Sequence, residues 1–327
     1  NFNNMSSGPT IKQIVLVKGW EGFADRLQIL SHCLHYCKLH GAAICVDWRD
    51  YMWIHEFGDY FEIVGIPVVS LATVLERAAS GASVLPVAFD AETLAAKPDE
   101  RIHFADFTAP INNKYDHVAA DIVVHNGKGL RMWHIDNLIC NLRLTAAAAA
   151  IVSGRLAGLE SPYTAIHLRG TDRLCNLTHA DAIKSAITVF KDQPPHVKAR
   201  QYVISDMQAL VDLWLVGEPK ARQLATDYAI YKLPAGTQGT HQLPVMALDF
   251  YGVKKHTMNI DTITDFLIIC FAHWSFGNSK ESTYTSMAAF MRQGGHKGIA
   301  KWLYGFEPKA TAFEPKATAF EPKATAF

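Results

Sequence analysis

Three short stretches of this chain carry side chains suited to holding a negatively charged ligand. In Ala165-Ile166-His167-Leu168-Arg169-Gly170-Thr171-Asp172-Arg173 an apolar strand stops, and His167, Arg169, Thr171, Asp172 and Arg173 crowd its carboxyl end. Open α/β sheets bind their ligands at such ends. The planar guanidinium of Arg169 matches two phosphate oxygens, Gly170 lets main chain come close, and Asp172 can hold a guanidinium in place. A surface ion pair at a strand end would need the same residues and no ligand. The second stretch, Phe276-Gly277-Asn278-Ser279-Lys280-Glu281-Ser282-Thr283-Tyr284-Thr285, is a strand end that runs into a helix start. Free amides and hydroxyls there, with Asn278, Ser279, Ser282 and Thr283 among them, make an anion site. Ordinary capping by Ser279 or Ser282 is the plain alternative. The third stretch, Lys18-Gly19-Trp20-Glu21-Gly22-Phe23-Ala24-Asp25-Arg26, is the turn after the first strand and contains Gly22 and Arg26. Its two glycines fall short of the three-glycine dinucleotide spacing, so a nicotinamide-dependent oxidoreductase is a weaker reading that leaves the Arg169 cluster without a role. A tight turn with Asp25 and Arg26 as a helix-end ion pair accounts for it equally.

A fourth group, His32, Cys33, His35, Cys37 and His40, looks like a metal cluster when written in a line. Wound into a helix, Cys33, Cys37 and His40 lie at the edge of the apolar face and His32 and His35 point elsewhere, which favours core and rim positions over a metal. The chain contains no serine-hydrolase elbow, P-loop or zinc-protease signature. Its 31 basic and 31 acidic residues cancel and form no basic patch, which argues against a nucleic-acid clamp. No apolar run approaches the roughly 18 residues of a membrane span, and Asn1 to Pro9 lacks the apolar core of a signal peptide. Six cysteines, mostly inside apolar runs, fit reduced core thiols and favour the cytoplasm. A Golgi or endoplasmic reticulum lumen fits a chain whose anchor has been trimmed.

The elements that must position these residues alternate between strand and helix. Ile14 to Val17 predicts a strand, Phe23 to Cys37 a helix closed by Gly41, and Ala42 to Val46 a second strand, together a βαβ unit with parallel strands. Further strands are expected near Ile66 to Ser70 and Asp121 to His125, while Ala79 to Asn113 is rich in turn formers. A helix is expected over Leu142 to Leu159, and the shift at Ser161-Pro162 opens a second series. That series comprises a strand over Tyr163 to Leu168, a helix capped by Thr178, a strand over Gln201 to Ser205 and a helix with Leu210, Val211 and Leu213 on its apolar face. A buried helix over Asp261 to Phe271, a strand over Trp274 to Phe276 and a helix over Ser282 to Met291 complete it. With 49% hydrophobic residues, 327 residues can build two cores. The expected domains are 1–155 and 156–306. Beyond them lie three copies of Glu-Pro-Lys-Ala-Thr-Ala-Phe over 307–327, read as an extended or mobile tail because a proline in every copy precludes helix.

Taken together, these segments resemble the fucosyltransferase superfamily of nodulation fucosyltransferases, core α-1,6-fucosyltransferases and protein O-fucosyltransferases. His167-Leu168-Arg169-Gly170-Thr171-Asp172-Arg173 resembles its His-x-Arg-x-x-Asp signature, the most specific match. Gly22 to Gln28 resembles its glycine loop, Phe57 to Ile63 the segment beyond its second strand, Tyr202 to Asp206 its strand ending in Ser-Asp, and Asp265 to Ser286 its closing helix, strand, serine-rich loop and helix. The resemblance implies an α/β chain of two facing Rossmann-like, GT-B-like domains with a cleft between them. It implies inverting transfer of L-fucose from GDP-fucose to a glycan or glycoside hydroxyl, with no cofactor and no metal required. In that reading Arg169 stabilises the diphosphate, helped by Ser279, Ser282 and the last helix N-terminus, and His167, Asp206 and Asp265 contact the nucleotide. Gly170 stands where the core α-1,6 enzymes carry a second Arg, and Leu177 falls at the position of their proposed base. Both departures also fit a non-catalytic nucleotide-sugar or glycan-binding protein. Asp172, His179, Glu21 and Asp25 are the candidates for base.

Overall fold

The computed structural model describes residues 11–19, 22–50, 53–96, 110–126, 134–170, 178–224, 254–278, 282–306 and 308–310. Its elements begin with β1 (Ile14–Lys18), α1 (Phe23–His40), β2 (Ala43–Asp47), β3 (Phe61–Ile63), α2 (Leu71–Ala79), β4 (Val84–Leu85), α3 (Ala91–Ala95) and β5 (Ile122–His125). There follow α4 (Ile135–Asn141), β6 (Leu142–Leu144), α5 (Ala146–Leu156), β7 (Glu160–Ser161), β8 (Thr164–Leu168), α6 (His179–Lys191), α7 (Pro195–Lys198) and β9 (Gln201–Ser205). The series closes with α8 (Gln208–Gly217), β10 (Ala221–Arg222), α9 (Lys255–Phe271), β11 (Trp274–Gly277), α10 (Thr283–Gln293), α11 (His296–Ala300) and β12 (Lys309–Ala310).

Two four-stranded parallel sheets, one on each side of residue 155, have the orders β2-β1-β5-β4 and β10-β9-β8-β11. In each, the chain winds outward from its first strand and then returns to that strand's other side. The resulting switch points, between β1 and β5 and between β8 and β11, are where such sheets bind ligands. The central strands read as nearly continuous apolar runs because helices cover both faces. β1 is buried along its whole length, and β8 exposes part of His167 alone. Gly41 ends α1 at φ 64°, a left-handed conformation in which a Cβ would be strained.

Several expectations change. Ile66 to Ser70 makes a single bridge, Val68 to Ile44, in place of a strand, since Pro67 has no amide proton to give. Leu142–Leu144 pairs antiparallel with Phe61–Ile63 before the expected helix begins at Ala146. Leu213 is 39% exposed, so the apolar face of α8 is carried by Leu210, Val211 and Trp214. In the first heptad, Lys309 and Ala310 pair in parallel with Glu160 and Ser161; the other two heptads lie outside the described residues.

The apolar core does not divide where the sheets do. One cluster runs from Val15 and Leu30 through Leu138 and Val152 to Phe266, Met287 and Trp302. α9 and α10, which flank β11 of the second sheet in the chain, pack against α5 and α1 of the first half. Trp302 donates its indole N–H to the Leu138 carbonyl at 3.1 Å, and Arg155 of α5 forms a buried ion pair with Asp261 of α9.

Candidate active site

β8 and β11 pair in parallel from Trp274↔Thr164 to Gly277↔His167, so their carboxyl ends emerge side by side at the second switch point. Arg169 follows β8 and Asn278 follows β11. The two interlock: Arg169 N–H donates to Asn278 Oδ1 at 2.7 Å, and Asn278 Nδ2 donates to the Arg169 carbonyl at 2.8 Å. On the other side, Gly170 N–H donates to Asp206 Oδ1 at 2.6 Å, just beyond the end of β9. The main chain around Arg169 is therefore clasped by both neighbouring strand ends. Asn278 and Asp206, expected as nucleotide contacts, are placed as positioning groups for the arginine. Gly170 has no room for a side chain, since a Cβ there would run into Met207, which is 2% exposed. The position that is Arg in the resembled enzymes is thus filled from below by a methionine.

His167, half-buried in β8, shares a hydrogen bond of 2.8 Å between its Nδ1 and Thr285 Oγ1 and packs against Tyr284. Burial, reinforced by the Arg169 charge, pushes its pKa down to about 3, so the ring is neutral near pH 7. Ser282, 1% exposed, is the N-cap of α10 and accepts the Thr285 N–H. Here the capping explanation holds, and its buried hydroxyl serves the helix. Asp265 of α9 is buried next to Tyr284, whose hydroxyl it helps keep protonated. Asp172, Ser279, Glu21, Lys280, Arg173 and Leu177 lie outside the described residues.

The third stretch meets the first two through Asp25. This residue sits in the first turn of α1, close enough to Arg169 and to Thr283 of α10 to feel both. Burial raises its carboxyl above the ordinary carboxylate range, against the opposing pull of Arg169, Arg26 and the Thr283 hydroxyl. A side chain from the first half thus completes a cluster built by the second.

Arg26 faces the other way. It is 1% exposed, ion-paired with Asp50 and lies over the rings of Trp48 and Trp53 at 5.7 Å from each centroid. Gly22 caps α1 and accepts the Arg26 N–H through its carbonyl at 3.1 Å. Gly19 is required because Arg26 and Trp48 occupy the space of any Cβ. Both turn glycines thus have roles inside the protein. The histidines of α1 separate as well. His32 is buried, contrary to the helical-wheel expectation, because α1 is covered nearly all round; its ring nitrogens meet Tyr115 Oη at 2.7 Å and the Ile111 carbonyl at 3.2 Å. His35 stacks on His134 at 3.9 Å. Cys33, Cys37, Cys45 and Cys270 are buried thiols, Cys140 is exposed and Cys175 lies outside the described residues.

No protein-family model matches the chain, and no curated protein sequence does. Solved structures do. Fucosyltransferase NodZ from Bradyrhizobium superposes with a TM-score of 0.59 over 86% of this chain and 94% of its own, at 15% identity. The chain shares the NodZ fold. NodZ alpha-1,6-fucosyltransferase co-crystallized with GDP and the same enzyme soaked with GDP-fucose each give a TM-score of 0.58 at 15% identity, over 86% of this chain and 93% and 92% of theirs. The α/β, GT-B-like architecture expected from the short motifs is therefore present, with both sheets parallel. No helix among the described residues is long and apolar enough to cross a membrane.

Proposed function

We propose that this protein is an inverting glycosyltransferase that moves L-fucose from GDP-fucose to a glycan or glycoside hydroxyl. The observation that carries the reading is the interlocked pair Arg169 and Asn278 at the β8–β11 switch point, beside the N-terminus of α10. Such a point binds nucleotides in open α/β sheets, and the planar fork of a guanidinium anchored there at its main chain matches two oxygens of a diphosphate. The shared fold supports the donor class, since NodZ has been crystallised with GDP and with GDP-fucose. In this reading the half up to residue 155 faces the acceptor and the half from 156 to 306 holds the nucleotide.

The transition state carries positive character on the sugar ring and new negative charge on the departing diphosphate. Arg169, Ser279 and the amides at the start of α10 take up that charge, which removes the need for a metal. His167 and Asp265 are the candidates for nucleotide contacts in this reading. A thermal-shift panel of GDP, UDP, ADP and NAD tests the reading. GDP alone should stabilise the protein, by about 2.7 kcal/mol at a hundred times its Kd, and GDP-fucose turnover should persist in EDTA. Selective stabilisation by NAD would shift the assignment to an oxidoreductase, and GDP binding without turnover would leave a nucleotide-sugar-binding protein.

A further inference from the structure

α10 begins at the candidate active site and ends at a different place. Its last turn, the second half of α1 and the start of α4 line an open cavity of about 690 Å³. The polar walls are His35 and Lys38 of α1, His134 and Asp136 at the start of α4, and Gln293 of α10. At 1.5 Å per residue, Gln293 stands about 15 Å along the helix from Thr283, so the cavity is separate from the β8–β11 switch point.

The two imidazoles lie face to face, with centroids 3.9 Å apart and planes 6° from parallel. Their hydrogen bonds fix their tautomers. Asn137 donates through Nδ2 to His35 Nδ1 at 3.2 Å, so a neutral His35 carries its proton on Nε2. The other ring is fixed from further away, because the Ile111 carbonyl can only accept and His32 Nε2 must donate to it, at 3.2 Å. His32 Nδ1 then accepts the Tyr115 O–H at 2.7 Å, and the Tyr115 oxygen accepts from His134 Nε2. This leaves His134 Nδ1 with a lone pair. Two cations could not share so close a stack, and burial lowers the pKa of both rings, so both are neutral near pH 7. Neither His35 Nε2 nor His134 Nδ1 has a partner among the described residues. An N–H donor and a nitrogen acceptor are what the stacked pair has left to offer a ligand.

We propose that this cavity binds an uncharged saccharide. A sugar hydroxyl accepts and donates at once, so it can take the His35 N–H and give its own proton to His134 Nδ1. An anion would meet that lone pair and the Asp136 carboxylate; a cation would meet the His35 N–H and Lys38. The opposite charges of Lys38 and Asp136 favour neither. Gln293 adds an amide that both donates and accepts, and a single small amide ligand has too few groups to use all of these, whereas a sugar ring carries several hydroxyls. Leu39, 59% exposed, adds apolar surface for the C–H faces of the ring. The volume is that of a small-molecule site. Because α1 and α4 belong to the first half of the chain and α10 to the second, an occupant bridges the two. The inference makes no use of the glycosyl-transfer reading and stands or falls apart from it.

The test is nuclear magnetic resonance on the full chain with ¹⁵N-labelled histidine at pH 7.5, the two rings being assigned from His35→Phe and His134→Phe. The probes are L-fucose, D-mannose, D-galactose and N-acetyl-D-glucosamine, with sodium sulfate and N-methylacetamide as charged and amide controls. At least one sugar should shift the His35 and His134 ring signals saturably, and saturating GDP should leave that binding unchanged. His35→Phe keeps the stack and lacks the N–H, so it should weaken the sugar by about fivefold, the loss of one hydrogen bond, as followed on the His134 ring. Gln293→Ala, an exposed change, should weaken it about threefold and decides the matter if His35→Phe does not fold. No shift with any sugar overturns the proposal. So does a response to sulfate or N-methylacetamide as strong as to the best sugar, displacement of the sugar by GDP, or wild-type affinity in both variants.

Discussion

At the scale of single residues, the structure separates groups that point into the candidate site from groups whose chemistry is spent inside the protein. Arg169 and Arg26 looked comparable as cations beside strand ends. Arg26 is enclosed by Asp50, Trp48 and Trp53, whereas Arg169 is gripped through its main chain by Asn278 and stays half-buried near Asp25. Replacing Arg169 by Lys keeps the charge and loses the planar fork, so steady-state GDP-fucose assays should show turnover reduced by about 10²-fold or more. Turnover close to wild type would take Arg169 out of the mechanism. The arginine was legible because the strand, the basic side chain and the glycine that follows lie within one short stretch. The packing of α1 against α10 was not, because the two helices stand far apart in the chain and nothing in either local sequence refers to the other. The Gly170 departure was visible, but its cause, the Met207 side chain packed beneath it, appears only in three dimensions.

At the scale of elements, the strands and helices with strong local signals appear where the residue pattern puts them. Gln201–Ser205 is a buried strand, and Thr178 caps α6 by accepting the Asp181 N–H. The elements that escaped notice are short. Three-residue strands such as Phe61–Ile63 and Leu142–Leu144 offer too few positions for a period of two to show, and they gain their identity from pairing with each other. Arg155 and Asp261 illustrate an energetic consequence at this scale, since α5 and α9 are joined by a buried ion pair that neither helix announces. Asp261 is 1% exposed. Asp261→Ala would remove the charge that Asp261 sets against the largely buried Arg155 guanidinium and should cost about 3 kcal/mol of unfolding free energy in a urea titration. Replacing both partners with apolar residues should cost less than the single change.

At the scale of the whole molecule, the sheets separate near residue 155, yet the helices on either side of the last strand of the second sheet return to the first half and share its core. A boundary drawn from composition finds the sheets; the returning helices need the tertiary structure, because an apolar helix face does not name its partner. Acid sensitivity follows from the same enclosure. His125 is wholly buried, with no hydrogen-bond partner for either ring nitrogen among the described residues, and its pKa is pushed down to about 3 by burial and then by the His32 charge. His32 is lowered to about 4, mainly by burial. Below pH 6.5 the unfolded chain takes up these protons while the folded protein does not, so stability is lost as pH falls from 6.5 towards 4 and 3. Each ring should account for about 2 kcal/mol by pH 5. Denaturant melts at pH 7 and pH 5 should therefore show a smaller loss, by about 2 kcal/mol, in His125→Gln than in wild type. The pairing of Lys309 and Ala310 with Glu160 and Ser161 has a different kind of consequence. All copies of the heptad are identical, so deleting the first from the gene and deleting the last encode one and the same polypeptide. Whichever copies are lost, Glu-Pro-Lys-Ala still follows Phe306, and the slot beside β7 is offered the same partner. Variation in copy number is invisible to that contact until the final copy goes.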